Sequence, residues 1–373
     1  YDYNGLGLLS SIHDLNGSTW AFGYTPLRRL QTMTDPLNRA TQYAYDQRGL
    51  LQQVTYPDGL TRTQTYDAAG NLTRQQYANG PDLQFAYDDL NRLIATNGVS
   101  LTYNEVGQVM TTTDPATGSI FGAQYDAAGR LESVNYAGLF GVTYQYDSGG
   151  RLTRASDSLT GAVITFAYDD DGRLTDIQRS NGVSTTLTWD AASRLSRIQE
   201  GSVADLQYDY NAAGEIVSQT YTLPLDPADY LVGGSVNLAY DAASQINSPG
   251  YAYDARGRLT AAPGYTHTWD GASRLVEVNA VRLGYNGLGE VITRTEGTTT
   301  TRYFYNYALG LAPIVAERND TAAQMQRYYV WTPGGQLLYL IDAADNNKVY
   351  FYHFDRSGST LALTDASGAA TDK

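Results

Sequence analysis

Tyr125-Asp126-Ala127-Ala128-Gly129-Arg130-Leu131 returns as Tyr146-Asp147-Ser148-Gly149-Gly150-Arg151-Leu152 and again as Tyr168-Asp169-Asp170-Asp171-Gly172-Arg173-Leu174. A fourth near-ideal copy is Tyr253-Asp254-Ala255-Arg256-Gly257-Arg258-Leu259. Upstream the phrase recurs as Tyr45-Asp46 with Gly49 and Tyr66-Asp67 with Gly70, and the anchors Tyr3, Tyr24, Tyr45, Tyr66 and Tyr87 are each 21 residues apart. The register continues through Tyr103, Tyr125, Tyr146, Tyr168, Trp189 and Tyr210, mostly at 21 or 22 residues. It then runs at variable spacing through Tyr240, Tyr253, Trp269 and Tyr285, with weaker copies at Tyr305, Trp331 and Phe354. Self-similarity at a fixed short period is the mark of a repeat architecture, in which each unit leans on its neighbours.

The phrase dictates a hairpin. Asp at the first position of a type I turn accepts hydrogen bonds from N–H groups further round, and Gly at the fourth tolerates positive φ, which gives a three-residue loop with a G1 bulge. Asp126 and Arg130 then flank the loop as a cross-strand pair, and Tyr125 and Leu131 form the next pair on the opposite face. Two residues before the anchor, Tyr43, Phe85, Tyr144, Phe166, Leu187, Tyr208, Tyr251 and Tyr303 share its parity, so stacked units should build aromatic ladders. Nine residues after it, Val54, Val134, Ile177, Ile198 and Val278 fall on the other face under strict alternation. Either a second bulge intervenes or both faces are partly buried. Pro57-Asp58-Gly59, Asn79-Gly80, Asn97-Gly98 and Asn181-Gly182 supply the return turns.

The expected fold is therefore all-β: tandem antiparallel hairpins forming one long sheet. With on the order of 30 strands such a sheet must curl or spiral, because twist accumulates. Regular repeats cover residues 1–304, interrupted by an inserted loop at 222–234 that stretches the Tyr210-to-Tyr240 spacing to 30; degenerate repeats cover 305–373. Ala322-Ala323-Gln324-Met325-Gln326-Arg327 reads as a short helical turn or a long hairpin tip.

Of the 373 residues, 39 are acidic and 25 basic, a net charge of −14 that would repel a phosphate backbone and excludes nucleic acid as a partner. There is no cysteine, hence neither disulfides nor thiolate metal sites, and no apolar run approaches the roughly 18 residues of a membrane span. The start at Tyr1-Asp2-Tyr3, without methionine or leader, reads as an excerpt of a longer protein. His13, His267 and His353 are too scattered for a zinc or catalytic site, and no P-loop, GxGxxG or GxSxG motif occurs. His267 fills the slot of Tyr or Phe in other repeats. The repeated aspartates could be read as a calcium ladder, with Asp169-Asp170-Asp171 its densest point, but a carboxylate opening a turn is already engaged by backbone N–H groups. No metal, cofactor or catalytic residue is expected.

These phrases resemble the RHS/YD-repeat family over essentially the whole chain. The resemblance implies a β-sheet spiralling into a hollow cocoon that, in bacterial polymorphic toxins and insecticidal toxin complexes, encloses a C-terminal toxic polypeptide; in animal teneurins a similar barrel serves adhesion. Tyr352-His353-Phe354-Asp355-Arg356-Ser357-Gly358-Ser359 resembles the stretch preceding that family's core region, whose DPxGLxGG-like signature does not appear. The implied role is a non-catalytic, structural part of an exported or cell-surface bacterial protein, partnered by neighbouring repeats and by the parent's C-terminal core or toxin. The alternative is an extracellular adhesive or fibre-forming protein that meets a glycan or cell-surface protein through its aromatic ladders.

Overall fold

The computed structural model describes residues 1–223 and 237–371. The inserted loop lies outside the described residues from residue 224 onward. Among the described residues there is no helix, and strands run from Asp2–Tyr3 to Ala370–Thr371 in two antiparallel sheets of 22 and 13 strands. Strands pair with their chain neighbours, as Ser119–Tyr125 does with Leu131–Tyr136, and that strand with Phe140–Tyr146.

Each repeat turn closes as its residues require. The Gly129 N–H donates to the Asp126 carbonyl at 2.9 Å and the Asp126 N–H to the Arg130 carbonyl at 2.9 Å, with Gly129 at φ +77°. Asp126 Oδ1 accepts from the N–H groups of Ala128 and Arg130, both at 2.9 Å. The second bulge is real. Tyr125 pairs with Leu131, but Gln124 pairs with Ser133, so Glu132 is the extra residue, and Ala123 then meets Val134. The same slip occurs beside Tyr45, Tyr66, Tyr146, Tyr168, Trp189 and Tyr210. It carries the residue nine after the anchor onto the anchor's face: Val134, Ile177 and Ile198 are all buried. Residues 320–323 form the tip between strands Ile314–Asn319 and Gln324–Trp331, a hairpin rather than a helical turn.

The chain forms two compact units, each drawing on two separated stretches. In the unit built from Ser100–Val232 and Thr301–Lys373, the aromatic face of the first stretch packs on strands of the second. Phe121 lies 5.4 Å from Phe304 and Phe140 meets Tyr328 edge-on at 5.0 Å. The hydroxyls of Tyr136 and Tyr144 cross to the carbonyls of Tyr329 and Trp331 at 2.7 Å. Buried Tyr hydroxyls need acceptors, and these two find them on the facing stretch.

The unit built from Tyr1–Val99 and Gly233–Thr300 is more polar inside. Its buried apolar residues are Val54, Tyr77, Leu83 and Val99 among those described. Its two stretches meet through Arg256 and Asp58, 2.7 Å apart, and through the Gly287 N–H on the Asn97 carbonyl at 2.6 Å. A Cβ at Gly287 would overlap the Thr96 side chain, so only glycine permits that approach.

Turn chemistry is directly testable. Ser244 holds φ +58° where Gly70 holds +92° with open space around it. Left-handed backbone is strained for any residue with a Cβ, so Ser244→Gly is expected to stabilise the fold and Gly70→Ser to destabilise it, each by about 1 kcal/mol. Urea unfolding of both variants checks the opposite signs.

Candidate functional site: the repeat seam and a buried polar cluster

The seam between repeats begins with an unpaired carbonyl. Strands Leu131–Tyr136 and Phe140–Tyr146 are in register only as far as Ser133 and Thr143, because the bulge at Glu132 turns the first strand away. The Leu131 carbonyl is left beyond the ladder, and the Tyr146 hydroxyl folds back to donate to it at 2.7 Å. The same bond recurs along the chain. Tyr45 donates to Leu30, Tyr66 to Leu51, Tyr125 to Val109, Tyr168 to Leu152 and Tyr210 to Leu195, at 2.7–2.9 Å. Trp189 and Trp269 do the same through Nε1, to Leu174 at 2.9 Å and Leu259 at 2.7 Å. Tyr253 is the exception: its hydroxyl accepts from the Ile246 N–H at 3.0 Å.

The turn arginine covers the same ring. Arg130 Nε donates to Asp126 Oδ2 at 2.7 Å while its guanidinium lies 4.6 Å over the ring of Tyr146. Arg151 covers Tyr168, Arg173 covers Trp189 and Arg258 covers Trp269 in the same way. Asp147, Asp169 and Asp254 hold these arginines at 2.7 Å, whereas Asp46 pairs with Arg48 and Asp67 with Asn71. Gly49, Gly70, Gly150, Gly172 and Gly257 all take positive φ. Two expectations change as a result. The aspartate and arginine do pair across the turn, but the guanidinium then reaches the aromatic side. Among the described residues no ring contact joins successive anchors, and where the preceding turn carries an arginine its guanidinium lies between them, over Tyr146, Tyr168, Trp189, Tyr210, Trp269 and Tyr285. One face of each capped ring is thus occupied before any sugar could stack on it. Asp126 is held below the usual carboxylate range first by the Arg130 side chain, then by backbone N–H groups. Asp169 and Asp171 both engage Arg173, at 2.7 and 3.0 Å.

A second arrangement escaped the sequence reading. Arg179, Thr185, Glu200, His353 and Thr364 meet in the interior of one unit, none more than 7% exposed. Glu200 Oε2 accepts from Thr185 at 2.6 Å and lies 3.3 Å from Arg179 Nη1. It is also 2.7 Å from His353 Nδ1, and His353 Nε2 is 2.8 Å from the Thr364 hydroxyl. Burial, aided by Arg179, holds the imidazole below its ordinary pKa and hence neutral, although Glu200 opposes this. Nδ1 therefore carries the proton toward the carboxylate and Nε2 accepts from Thr364. Burial would raise Glu200, but His353, Arg179 and Thr185 together outweigh it and keep it below the usual carboxylate range. His267, by contrast, sits opposite Val278 and stacks near Tyr265, filling a packing slot.

Removing the seam hydroxyl leaves the Leu131 carbonyl without its donor, so Tyr146→Phe is expected to lose about 1 kcal/mol while keeping the fold. Circular dichroism with urea titration reads both. His353 contributes through a depressed folded pKa: the unfolded chain binds its proton near 6.5 and the native one only below that. Its stabilisation is present above pH 6.5 and lost as pH falls through the lowered folded value; Glu200 acts in the same direction below its ordinary 4.5. The melting temperature should fall on acidification below about pH 6.5, and His353→Gln should flatten that first decline.

Comparison with known proteins matches this geometry. The teneurin YD-shell model matches residues 29–178 and 162–372, and the RHS repeat model matches residues 3–40. A tRNA3(Ser)-specific nuclease WapA of Bacillus spizizenii is 28% identical over 182 residues, and the tRNA nuclease WapA of Bacillus subtilis is 25% identical over the same length. Each match covers 47% of this chain and only 7% of the relative. Crystal structures of TcdB2-TccC3-Cdc42 and TcdB2-TccC3 superpose with a TM-score of 0.62 over 99% of this chain at 14% identity, covering 27% and 28% of those chains. A wall of bulged YD hairpins, matched along nearly all its length, places this chain in the teneurin YD-shell family, with an RHS repeat at its N-terminal end.

Proposed function

We propose that this chain is a non-catalytic segment of a longer exported protein, and that it builds part of a β-sheet cocoon around that protein's own C-terminal polypeptide, a toxin. The observation that carries the reading is the seam: along it, the side chains able to do chemistry are spent on joining one repeat to the next. Asp, Arg, Tyr and Trp, the residues a site would recruit, hold turns and carbonyls instead. Two long antiparallel sheets, aromatic on one face, are the material of an enclosing wall. The match to nucleases of which this chain spans 7% supports the same division of labour, with the activity carried by another part of such proteins. Its partners on this reading are neighbouring repeats and the C-terminal core or toxin of the same parent. Among the described residues no helix is long and apolar enough to cross a membrane.

Cryo-electron microscopy of the full-length parent tests this. The expected result is a wall around a space that holds additional polypeptide. A solid rod or fibre without internal space overturns the proposal, as does a hydrolytic activity that tracks with this segment.

A further inference from the structure

Arg62 stands where the repeat has no use for a charge. It lies four residues before the anchor Tyr66, on the strand Thr61–Tyr66, between Val54 and Tyr77 on its two neighbours. Six other repeats fill that position with Leu83, Val99, Phe121, Val142, Ile164 and Leu206, all buried in the wall. Arg62 makes no ion pair among the described residues, and its buried Nε has no hydrogen-bond partner there. Such a donor is retained at a cost, and the half-buried charge that carries it gains from a counter-charge.

The surroundings show what is missing. Arg62 lines a cleft of about 450 Å³ within the unit formed by Tyr1–Val99 and Gly233–Thr300, together with Trp20, Met33, Tyr43 and Tyr56. The other arginines of the cleft are neutralised: Arg39 by Asp35, Arg256 by Asp58 at 2.7 Å and Arg258 by Asp254 at 2.7 Å. One uncompensated guanidinium therefore faces aromatic and thioether walls. A planar fork matches the two oxygens of a carboxylate, and a single positive charge matches a monoanion better than a phosphate dianion. Burying a flat apolar body against Tyr43 and Trp20 adds the non-polar part of recognition.

We infer that this cleft binds a carboxylate attached to a flat apolar group, with Arg62 as its charge partner. The chemistry is common to a free aromatic acid and to an acidic side chain beside an aromatic one in a polypeptide. The inference does not depend on what the wall encloses.

Isothermal titration on the full chain tests it with benzoate and its neutral analogue benzamide, with the capped dipeptides acetyl-Tyr-Asp-amide and acetyl-Tyr-Asn-amide, and with inorganic phosphate. At least one acidic probe should bind tenfold or more tightly than its neutral counterpart, and the tighter of the two identifies the source. Arg62→Leu restores the residue that other repeats carry, so it should fold with an equal or higher melting temperature and lose that tenfold preference. Arg62→Gln, a polar variant of similar reach, should lose it too. Equal binding of charged and neutral probes, tighter binding of phosphate, or an undiminished preference in both variants overturns the inference.

Discussion

A carbonyl oxygen at the edge of a bulged strand must find a donor or forfeit its hydrogen bond on folding. In this wall the donor comes from the next repeat's anchor, through a tyrosine hydroxyl or an indole N–H. Much of the local architecture follows. The bulge that strands the carbonyl also rotates the residue nine after the anchor into the interior, so one backbone irregularity both creates the need and packs the core. The arginine that covers the ring is anchored by the turn aspartate, which in turn holds the loop closed. Cation-to-ring contact and hydrogen bond each contribute about 1 kcal/mol at such a site, modest singly and large when repeated along the chain.

The two units use this frame differently. One fills its interior with Phe121, Tyr136, Phe140, Phe304, Tyr339 and Phe351, in which Tyr136 stacks on Phe140 and the other ring pairs meet at tilted or edge-on angles. In the same unit sits the cluster around Glu200 and His353, in which the Arg179 and Glu200 charges face each other and the imidazole stays neutral. The other unit closes across polar contacts and a bare glycine, and leaves a guanidinium facing a cleft.

Much of this was legible in the sequence. The YDxxGRL phrase specified the turn, the glycine's conformation and the strand pairing, because each depends only on residues within the loop. The choice between a second bulge and two half-buried faces was not, since a slip of one residue leaves no local mark. One clue was available and passed over. The anchor is Tyr or Trp in every regular repeat, whereas the position two before it also admits Phe85, Phe166 and Leu187. The anchor must supply the donor for the preceding repeat's carbonyl. The Arg179–Glu200–His353 cluster was illegible for another reason: its members are 153 residues apart between Glu200 and His353, and no short spacing brings them together.

The seam also has a direction. Outside the Tyr253 junction the donor belongs to the later repeat and the acceptor to the earlier one, as Tyr146 reaches back to Leu131 and Tyr168 to Leu152. A hairpin emerging during synthesis thus meets a finished template already behind it and waits for nothing ahead. Such a chain can be laid down like courses of brick, each course locking the last, and chains that fold N-terminal part first profit from that order.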